Sequence, residues 1–306
     1  DHIPSLIIDP KGDMGNLKLL FPDLKSEDFR PWVSQGQADR QGMSPDQLAE
    51  AEAMKWREGL ADWEQGPDRL AKLRDQAQVN LYTPGSSRGQ ALSLLKSLER
   101  PSDGVMEDPE TLNDYASSRV QALLGLLGMN EDPISSPKHI FLHHILLNQW
   151  EQGNSLDLPT LIRLIQEPGI AQFGALSLEE FFPAQARQAL AVEINNLLAN
   201  PKFSKWTQGA PLDFGRRLYT PEGKACVNVF TISHLDDRER MFFVTTFLNE
   251  VVSWMRDQTG TSSLRLILYM DEIFGYFPPV ANPPSKKPLL NLLKQARAYG
   301  LGLVLS

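Results

Sequence analysis

The sequence has little of what secreted, membrane-spanning or DNA-wrapping proteins need. Its single cysteine, Cys226, lies in an apolar stretch and excludes an internal disulfide framework. No apolar run approaches the roughly 18 residues that a membrane-spanning helix requires, and the first residues, DHIPSLIID, lack the basic and apolar regions of a signal peptide. The net charge of −8 argues against a broad basic surface for nucleic acid. We therefore expect a globular protein of the cytoplasm that has no membrane contact.

Two glycine-rich nucleotide motifs are also missing. No GxxxxGK(S/T), whose backbone amides and lysine hold phosphates, occurs in the 306 residues. The turn in 81–89, LYTPGSSRG, has no lysine in that spacing and reads as a plain loop. No GxGxxG follows a strand, which argues against a dinucleotide-binding enzyme with Asp9 as its ribose acid. We expect these residues alone to bind ATP weakly, and nanomolar binding would contradict this expectation.

The stretch with the most chemical information is 264–272, LRLILYMDE. Apart from Arg265 its first seven residues are apolar, which is typical of a parallel strand covered on both faces. Asp271 and Glu272 follow directly, at the carboxyl end where open α/β sheets bind ligands. Four apolar residues followed by Asp-Glu form the Walker B pattern of ATPases, in which the Asp holds Mg²⁺ and the Glu polarises water. The alternative is a buried strand with a polar end.

Residues 225–306 alternate between strand and helix patterns. A strand in 225–233 is followed by a helix whose capping box is Asp236 with Glu239, then by the strand that ends at Asp271. A helix from about residue 286 and a strand in 301–305 complete the series, and this alternation predicts a parallel sheet with right-handed crossovers. The inward residues of the last helix are predicted to be Leu289, Leu293 and Ala296.

A second strand end carries charged residues near the start of the chain. The strand pattern SLIID ends at Asp9 and is closed by a turn that contains Lys11 and Asp13. If this strand belongs to the same sheet, then these three side chains lie at the same carboxyl edge as Asp271. Ordinary turn chemistry alone also explains the proline and glycine of this turn.

The region between these two parts is predicted to be mostly helical. Helical patterns occur at 46–56, 67–76, 120–127, 140–150, 158–165 and 183–198, and Trp56 and Trp63 are expected to anchor the first of them. His139 and His143 share a helix face and invite a metal interpretation. Since no carboxylate or cysteine stands at ligand spacing, packed or solvated histidines are the favoured interpretation.

Three stretches together resemble one family. IPSLIIDPKGD, LILYMDEIFGYFPP and LLKQARAYGLGLVLS are similar to the HerA/FtsK family of hexameric P-loop ATPases, and within it to bacterial HerA-like proteins with a large helical insertion. The resemblance implies an α/β fold, a RecA-like P-loop NTPase parallel sheet core interrupted by a mostly helical insertion. The implied domains are 1–30 and 216–306 for the two parts of the core, and 31–215 for the insertion.

The resemblance also implies roles for particular residues. Asp271 would bind Mg²⁺ and Glu272 would be the general base for ATP hydrolysis. Asp9, Lys11 and Asp13 would lie near the nucleotide, in roles that the resemblance does not assign. Arg297 is the best basic candidate for sensing the γ-phosphate of its own or a neighbouring subunit. The alternative for Arg297 is a cation in the last turn of a helix, where the helix dipole favours it.

The missing phosphate loop is the main departure from the family, in which that loop lies just before the segment that begins here. We expect it to precede Asp1, and the polar sensor of the family to follow Ser306. The implied function is ATP-driven movement or processing of double-stranded DNA by a homo-oligomer, a hexamer by resemblance. The alternatives are an ATP-driven assembly or defence switch that does not act on DNA, and a catalytically silent oligomerising scaffold.

Overall fold

A five-stranded sheet is the centre of the computed structural model, which describes residues 2–86, 89–93, 98–201, 203–206 and 209–306. Its strands are β1 (Ser5–Asp9), β2 (Ala77–Tyr82), β7 (Ala225–Thr231), β8 (Leu266–Met270) and β9 (Leu301–Leu305). Their order across the sheet is β2-β7-β1-β8-β9, and every neighbouring pair is parallel. Four two-residue strands form separate pairs: β3 (Leu92–Ser93) with β6 (Ala210–Pro211), and β4 (Gln172–Phe173) with β5 (Leu176–Ser177). The predicted α/β class with a parallel sheet is confirmed, and the sheet is consistent with a RecA-like core.

Helices fill most of the connections between these strands. Before β2 they are α1 (Ser26–Phe29), α2 (Gln35–Arg40), α3 (Pro45–Asp62) and α4 (Pro67–Gln76). Between β2 and β7 they are α5 (Asp103–Met106), α6 (Pro109–Leu126), α7 (Pro137–Glu151), α8 (Leu158–Gln166), α9 (Leu178–Phe181) and α10 (Ala184–Ala199). The last two are α11 (Asp237–Arg256), between β7 and β8, and α12 (Lys286–Gln295), between β8 and β9.

Strand β1 lies in the middle of the sheet because its short apolar sequence is suited to burial. The backbone register places Ile8 beside Phe230 of β7 on one side and beside Met270 of β8 on the other. All three side chains are fully buried, and burying an apolar side chain of this size contributes roughly 1.5–3 kcal/mol. The chain's first strand is therefore held from both sides by segments more than 200 residues away in sequence, as the register pairs show.

Helix α11 covers one face of this sheet. Its start is fixed by the predicted capping box, in which the Asp236 carboxylate accepts from the Glu239 amide and the Glu239 carboxylate from the Asp236 amide, each at 3.0 Å. Phe247 packs edge-on against Phe230 with ring centroids 4.8 Å apart, and α6 lies against α11 on its other side. The apolar face of α11 packs into the core, where Val244, Leu248, Val251, Val252 and Met255 are buried.

A buried amide pair joins β2 to β7. The Asn80 side-chain amide donates to the Asn228 oxygen at 3.0 Å, and the Asn228 amide donates to the Arg217 carbonyl at 2.9 Å. A one-residue slip of β2 would separate these two amides and leave buried polar groups unpaired, which is costly. The pair therefore specifies the register of β2.

The predicted division into a core of 1–30 and 216–306 and an insertion of 31–215 stays a prediction. Strand β2 lies within the predicted insertion but belongs to the central sheet. The regular structure within 31–215 is mostly helical, but β2 belongs to the central sheet and pairs with β7 along its whole length. Helices α1 and α3 enclose a small apolar cluster of their own around Leu24 and Phe29. The chain thus leaves the sheet after β1, returns to it as β2 and leaves it again before β7.

Two predicted packing positions are wrong. Trp63 follows the last residue of α3 and is 79% exposed, so it anchors nothing in this chain, whereas Trp56 does pack against the small cluster. In α12, Leu292 rather than Leu293 is buried, and Leu293 is 46% exposed. Leu289 and Ala296 do face inward. The prediction placed the next inward residue four positions after Leu289, whereas the helix buries the residue three positions after it.

Part of the glycine turn in 81–89 lies outside the described residues, since Ser87 and Arg88 are not described. Among the described helices, no segment combines the length and apolarity needed to cross a lipid bilayer.

The glycine that ends the turn before β9 generates the first prediction. Gly300 has φ +77°, and a Cβ there would lie 2.4 Å from the Ser263 carbonyl oxygen. We expect Gly300→Ala to lower the free energy of unfolding by about 2 kcal/mol or more. The cost of a left-handed backbone at alanine and the cost of the clash between its Cβ and the Ser263 carbonyl oxygen add together. Urea denaturation measures this. The control Gly59→Ala, in α3 with no atom within 4 Å of the added Cβ, should raise stability by roughly 0.5–1 kcal/mol; equal effects would contradict the prediction.

Candidate functional site

The carboxyl ends of β1 and β8 bring the predicted charged residues to one edge of the sheet. Ile8 and Met270 are register partners, so the residues that follow them, Asp9 and Asp271, leave the sheet side by side. The Asp271 amide donates to the Ile8 carbonyl at 3.4 Å, which continues the pairing one step beyond the strand. This position is the expected consequence of parallel pairing, since the carboxyl ends of parallel strands meet at one edge.

Lys11 bridges the two strand ends. Its Nζ lies 2.7 Å from Glu272 Oε1 and 3.9 Å from Asp271 Oδ2. The side chains of Lys11 and Glu272 are each 55% exposed, so water screens their attraction and the pair is an exchangeable surface contact. The hydrogen bond with Glu272, and then the charges of Glu272 and Asp271, raise the pKa of Lys11. Lys11 is therefore held as a cation among carboxylates.

The turn after β1 aims Lys11 towards β8. The Asp9 Oδ1 atom accepts a hydrogen bond from the Gly12 amide at 2.7 Å, which closes the turn around Pro10 and Lys11. Gly12 has φ +88°, and a Cβ there would lie 2.8 Å from the Ser233 Oγ atom. Only glycine fits this combination of backbone angle and close approach without strain. The turn residues therefore position Lys11 as well as reversing the chain.

Asp9 is a buried carboxylate with an unpaired oxygen. Its side chain is inaccessible to solvent, and Oδ2 has no hydrogen-bond partner; the same is true of the Thr231 Oγ1 atom, in the register partner of Asp9 on β7. Burial raises the pKa of Asp9, and the charge of Asp13 raises it further, while the hydrogen bond from Gly12 opposes both. Asp13 itself is exposed at the start of a 3₁₀ turn and makes no capping hydrogen bond with its side chain.

Glu272 leaves the strand with an unusual backbone conformation. Its φ and ψ are 53° and 47°, in the left-handed region, which costs a residue other than glycine roughly 1–2 kcal/mol. Such strain persists where surrounding contacts impose it, and it is concentrated at functional sites. The following amide, of Ile273, donates to the Ser306 carbonyl at 3.1 Å, so the end of β9 holds the chain just beyond Glu272. The backbone turns sharply and presents the Glu272 side chain to Lys11.

The structure does not bring Arg297 to this site. Arg297 is exposed in the 3₁₀ turn Ala296–Tyr299, which comes directly before β9, whereas the Asp271 edge lies beyond the last residue of β9. Five residues of strand separate these two edges by roughly 16 Å. A role for Arg297 in the site of its own chain is therefore not supported by its position, and a role in the site of a neighbouring subunit stays a prediction.

The two predicted histidines face backbone oxygens. One ring nitrogen of His139 lies 3.2 Å from the Ser117 carbonyl, and one of His143 lies 3.3 Å from the Asn113 carbonyl. Burial lowers the pKa of both rings, so both favour the neutral form. In the described ranges, no cluster of three or more His, Cys, Asp or Glu side chains is arranged to hold a metal ion.

A magnesium ion fits this edge only as a site with few protein ligands. Mg²⁺ usually keeps several waters and takes one or two carboxylates together with substrate phosphates. Asp271 suits that pattern: its side chain is largely buried, with Lys11 Nζ 3.9 Å away as its nearest cation. Glu272, which is more exposed and already paired with Lys11, suits a role towards water better than a role as a ligand.

The sequence reasoning missed two hydroxyl groups at the same edge. Thr231 and Ser233 follow the buried part of β7, and both approach the Gly12 backbone. The signal was present, since the stretch ACVNVFTIS ends in polar residues, and the rule that collects strand ends at one edge applies to β7 as it does to β1 and β8. The salt bridge between Lys11 and Glu272 had no sequence signal, because it depends on the strand order.

Comparison with known proteins assigns this chain to no family. No protein-family model matches the sequence, and no curated protein matches it significantly. Among solved structures, distant similarity is found to the structure of VirB4 of Thermoanaerobacter pseudethanolicus, with a TM-score of 0.45 and 12% identity, over 99% of this chain and 69% of that one. Similarity of this size supports no conclusion about function.

The buried carboxylate generates the second prediction. We expect Asp9→Asn to raise the free energy of unfolding by about 1 kcal/mol at pH 8, because it removes the charge of a buried carboxylate whose Oδ2 has no hydrogen-bond partner, and it keeps an acceptor for Gly12. A raised acid pKa means that folding favours the protonated carboxyl, so the penalty exists above the folded pKa and disappears below the unfolded value.

Chemical denaturation between pH 4 and pH 8 checks this prediction. The advantage of Asp9→Asn should shrink as the pH falls, because the wild-type carboxyl then takes up its proton. The exposed control Asp13→Asn should show a much smaller change in stability. A gain from Asp9→Asn that is constant across this pH range would contradict the explanation.

Proposed function

We propose that this chain is part of a Mg²⁺-dependent ATPase of the HerA/FtsK type. The observation that supports it most is the juxtaposition of Asp271, Glu272 and Lys11 at the carboxyl edge of a parallel sheet. Phosphoryl transfer depends more on positioned charge than on covalent chemistry. One carboxylate that binds the metal ion and a second that orients the water molecule can therefore support ATP hydrolysis. The buried Asp271 is proposed as the Mg²⁺ ligand and the exposed Glu272 as the general base.

The chemistry divides between these two side chains. A bound Mg²⁺ ion supplies charge neutralisation on the phosphate oxygens. Asp271 would hold that ion at the end of β8, where the backbone bond to Ile8 fixes its position. Glu272 would orient a water molecule and accept its proton, which requires a free carboxylate oxygen within hydrogen-bond reach of that water. The turn of Asp9 and Lys11 would form the neighbouring wall of the nucleotide site.

The phosphate-binding loop of this ATPase is proposed to lie in a segment outside the 306 residues. Strand β9 forms one edge of the sheet, and its Val304 is 46% exposed. A further parallel strand would pair with the free backbone groups of β9, and it would end at the same carboxyl edge as Asp271. A loop that follows such a strand would face the candidate metal ligand.

Double-stranded DNA is the proposed substrate of the full-length protein, acting as a homo-oligomeric ring, and this part rests on the family resemblance. The net charge of −8 favours a second candidate, an ATP-driven assembly or defence switch that does not act on DNA. DNA-stimulated hydrolysis would favour the first candidate, and hydrolysis indifferent to DNA would favour the second. A protein that binds no nucleotide would be a silent scaffold.

The general base generates the third prediction. In the full-length protein, Glu272→Gln should slow ATP hydrolysis by roughly 10²-fold or more and leave ATP binding intact, since it removes proton acceptance and keeps the size of the side chain. Steady-state hydrolysis with and without double-stranded DNA measures this. The control Glu167→Gln, at the exposed end of α8, should hydrolyse ATP like wild type. Undiminished turnover in Glu272→Gln would exclude Glu272 as the base.

The metal ligand generates the fourth prediction. Asp271→Asn should shift the Mg²⁺ concentration needed for half-maximal nucleotide binding upwards by about tenfold or more, the scale on which losing a charged group from a metal site acts. Binding of a fluorescent ATP analogue, titrated with Mg²⁺, measures this shift. The control is Asp257→Asn, at the exposed end of α11. An unchanged metal dependence in Asp271→Asn would contradict the assignment.

A further inference from the structure

Lys11 and an attacking water molecule need the same carboxylate. We propose that Lys11 is a positioning residue that restrains Glu272, and that ATP hydrolysis requires this ion pair to open. The inference rests on the proposed function, because it assigns a regulator to the general base of that reaction. It gives Lys11 a role that the resemblance leaves unassigned.

The geometry favours Glu272 over the other acids as the partner of Lys11. The distance from Nζ is 2.7 Å to Glu272 and 3.9 Å to Asp271, so only the first is a direct hydrogen bond. While Lys11 donates to Oε1 of Glu272, that oxygen is not free to accept a proton from a water molecule. The hydrogen bond also fixes the rotation of the carboxylate, although a general base must align with its water. The pair therefore opposes both requirements of catalysis.

Both ends of the pair are fixed by their backbones. On the β1 side, the bond from the Gly12 amide to Asp9 closes the turn that carries Lys11. On the β8 side, Glu272 has a left-handed backbone, and the Ile273 amide is bonded to Ser306. Because β1 and β8 are adjacent strands in fixed register, these two anchors stand at a constant separation. The side chains meet without any large movement of the main chain.

The pair is nevertheless exchangeable. Each side chain is 55% exposed, and an ion pair in contact with solvent is weak enough to compete with other partners. Opening the pair therefore costs little, and Glu272 is available to a water molecule in the fraction of molecules in which the pair is open. Removing the Lys11 ammonium group would enlarge that fraction.

Steady-state ATP hydrolysis by the full-length protein separates this role from simple nucleotide binding. Lys11→Met keeps the stem and removes the charge, and it should raise the DNA-independent kcat about threefold to fivefold, the range that an exposed ion pair allows. KM for ATP should change by less than about twofold, because an exposed ion pair contributes little. Lys11→Arg should restore the wild-type rate. The control Lys25→Met removes another exposed, ion-paired lysine, which lies 3.2 Å from Asp23, and should leave the rate unchanged.

A second readout needs no nucleotide. The acetylation rate of Lys11, followed by mass spectrometry, should rise about threefold or more in Glu272→Gln, because the Lys11 amine then loses the carboxylate that holds it at 2.7 Å and becomes more accessible to the reagent. Lys25 serves as the internal reference in the same sample, and its rate should not change. An equal acetylation rate of Lys11 in wild type and Glu272→Gln would mean that the pair does not form, which would overturn the inference.

The outcomes distinguish this inference from the proposed function. In one outcome, the wild-type protein hydrolyses ATP and Glu272→Gln does not, but Lys11→Met is no faster than wild type or has a raised KM. That outcome would overturn the role of Lys11 alone. No hydrolysis by the wild-type protein would overturn the proposed function and the positioning role with it. A faster Lys11→Met enzyme with unchanged KM, restored by arginine, would support both.

Discussion

The parallel pairing of β1 with both β7 and β8 is the constraint on which the rest of the structure depends. This backbone ladder places the end of the first strand beside the end of a strand more than 250 residues later in the chain. The candidate site is built on this ladder, since Asp9 and Lys11 come from β1 and its turn, and Asp271 and Glu272 come from the end of β8. A pairing shifted by one residue would turn each side chain to the opposite face.

Burial and exposure divide the acids of this edge into different chemical roles. Asp9 is buried, and one of its carboxylate oxygens accepts the hydrogen bond that closes the turn. Asp271 is mostly enclosed and close to a single cation, and Glu272 projects into solvent from a strained backbone. Carboxylates of similar intrinsic acidity thereby become a structural acceptor, a candidate metal ligand and a candidate base. Environment rather than residue type makes these distinctions, as it does at other sites that use several acids.

The sequence predicted much of the sheet because buried parallel strands have a strong local signal. The apolar runs before Asp9 and Asp271 and the capping box of Asp236 each identify an element without knowledge of the rest of the chain. The sequence could not predict that β2 joins the sheet, because AQVNLY is short and its apolar residues are interrupted by Gln78 and Asn80. Nor could it predict the contact of Lys11 with Glu272, which requires the strand order, or the edge to which Arg297 belongs. Local periodicity reports local structure, and these three facts are properties of the topology.

The position of β7 between β2 and β1 has a consequence for how the sheet assembles. The two strands of this sheet that precede β7 in the chain, β1 and β2, do not pair with each other, and the contact of Asn80 with Asn228 spans 148 residues. Closing loops of that length before any pairing is gained makes folding slow. During synthesis, β1 and β2 cannot pair with β7 until residues 225–231 have been made. Strand β7 therefore completes the pairing of β2 and one side of β1, and substitutions within it would affect the candidate site through the yield of folded protein.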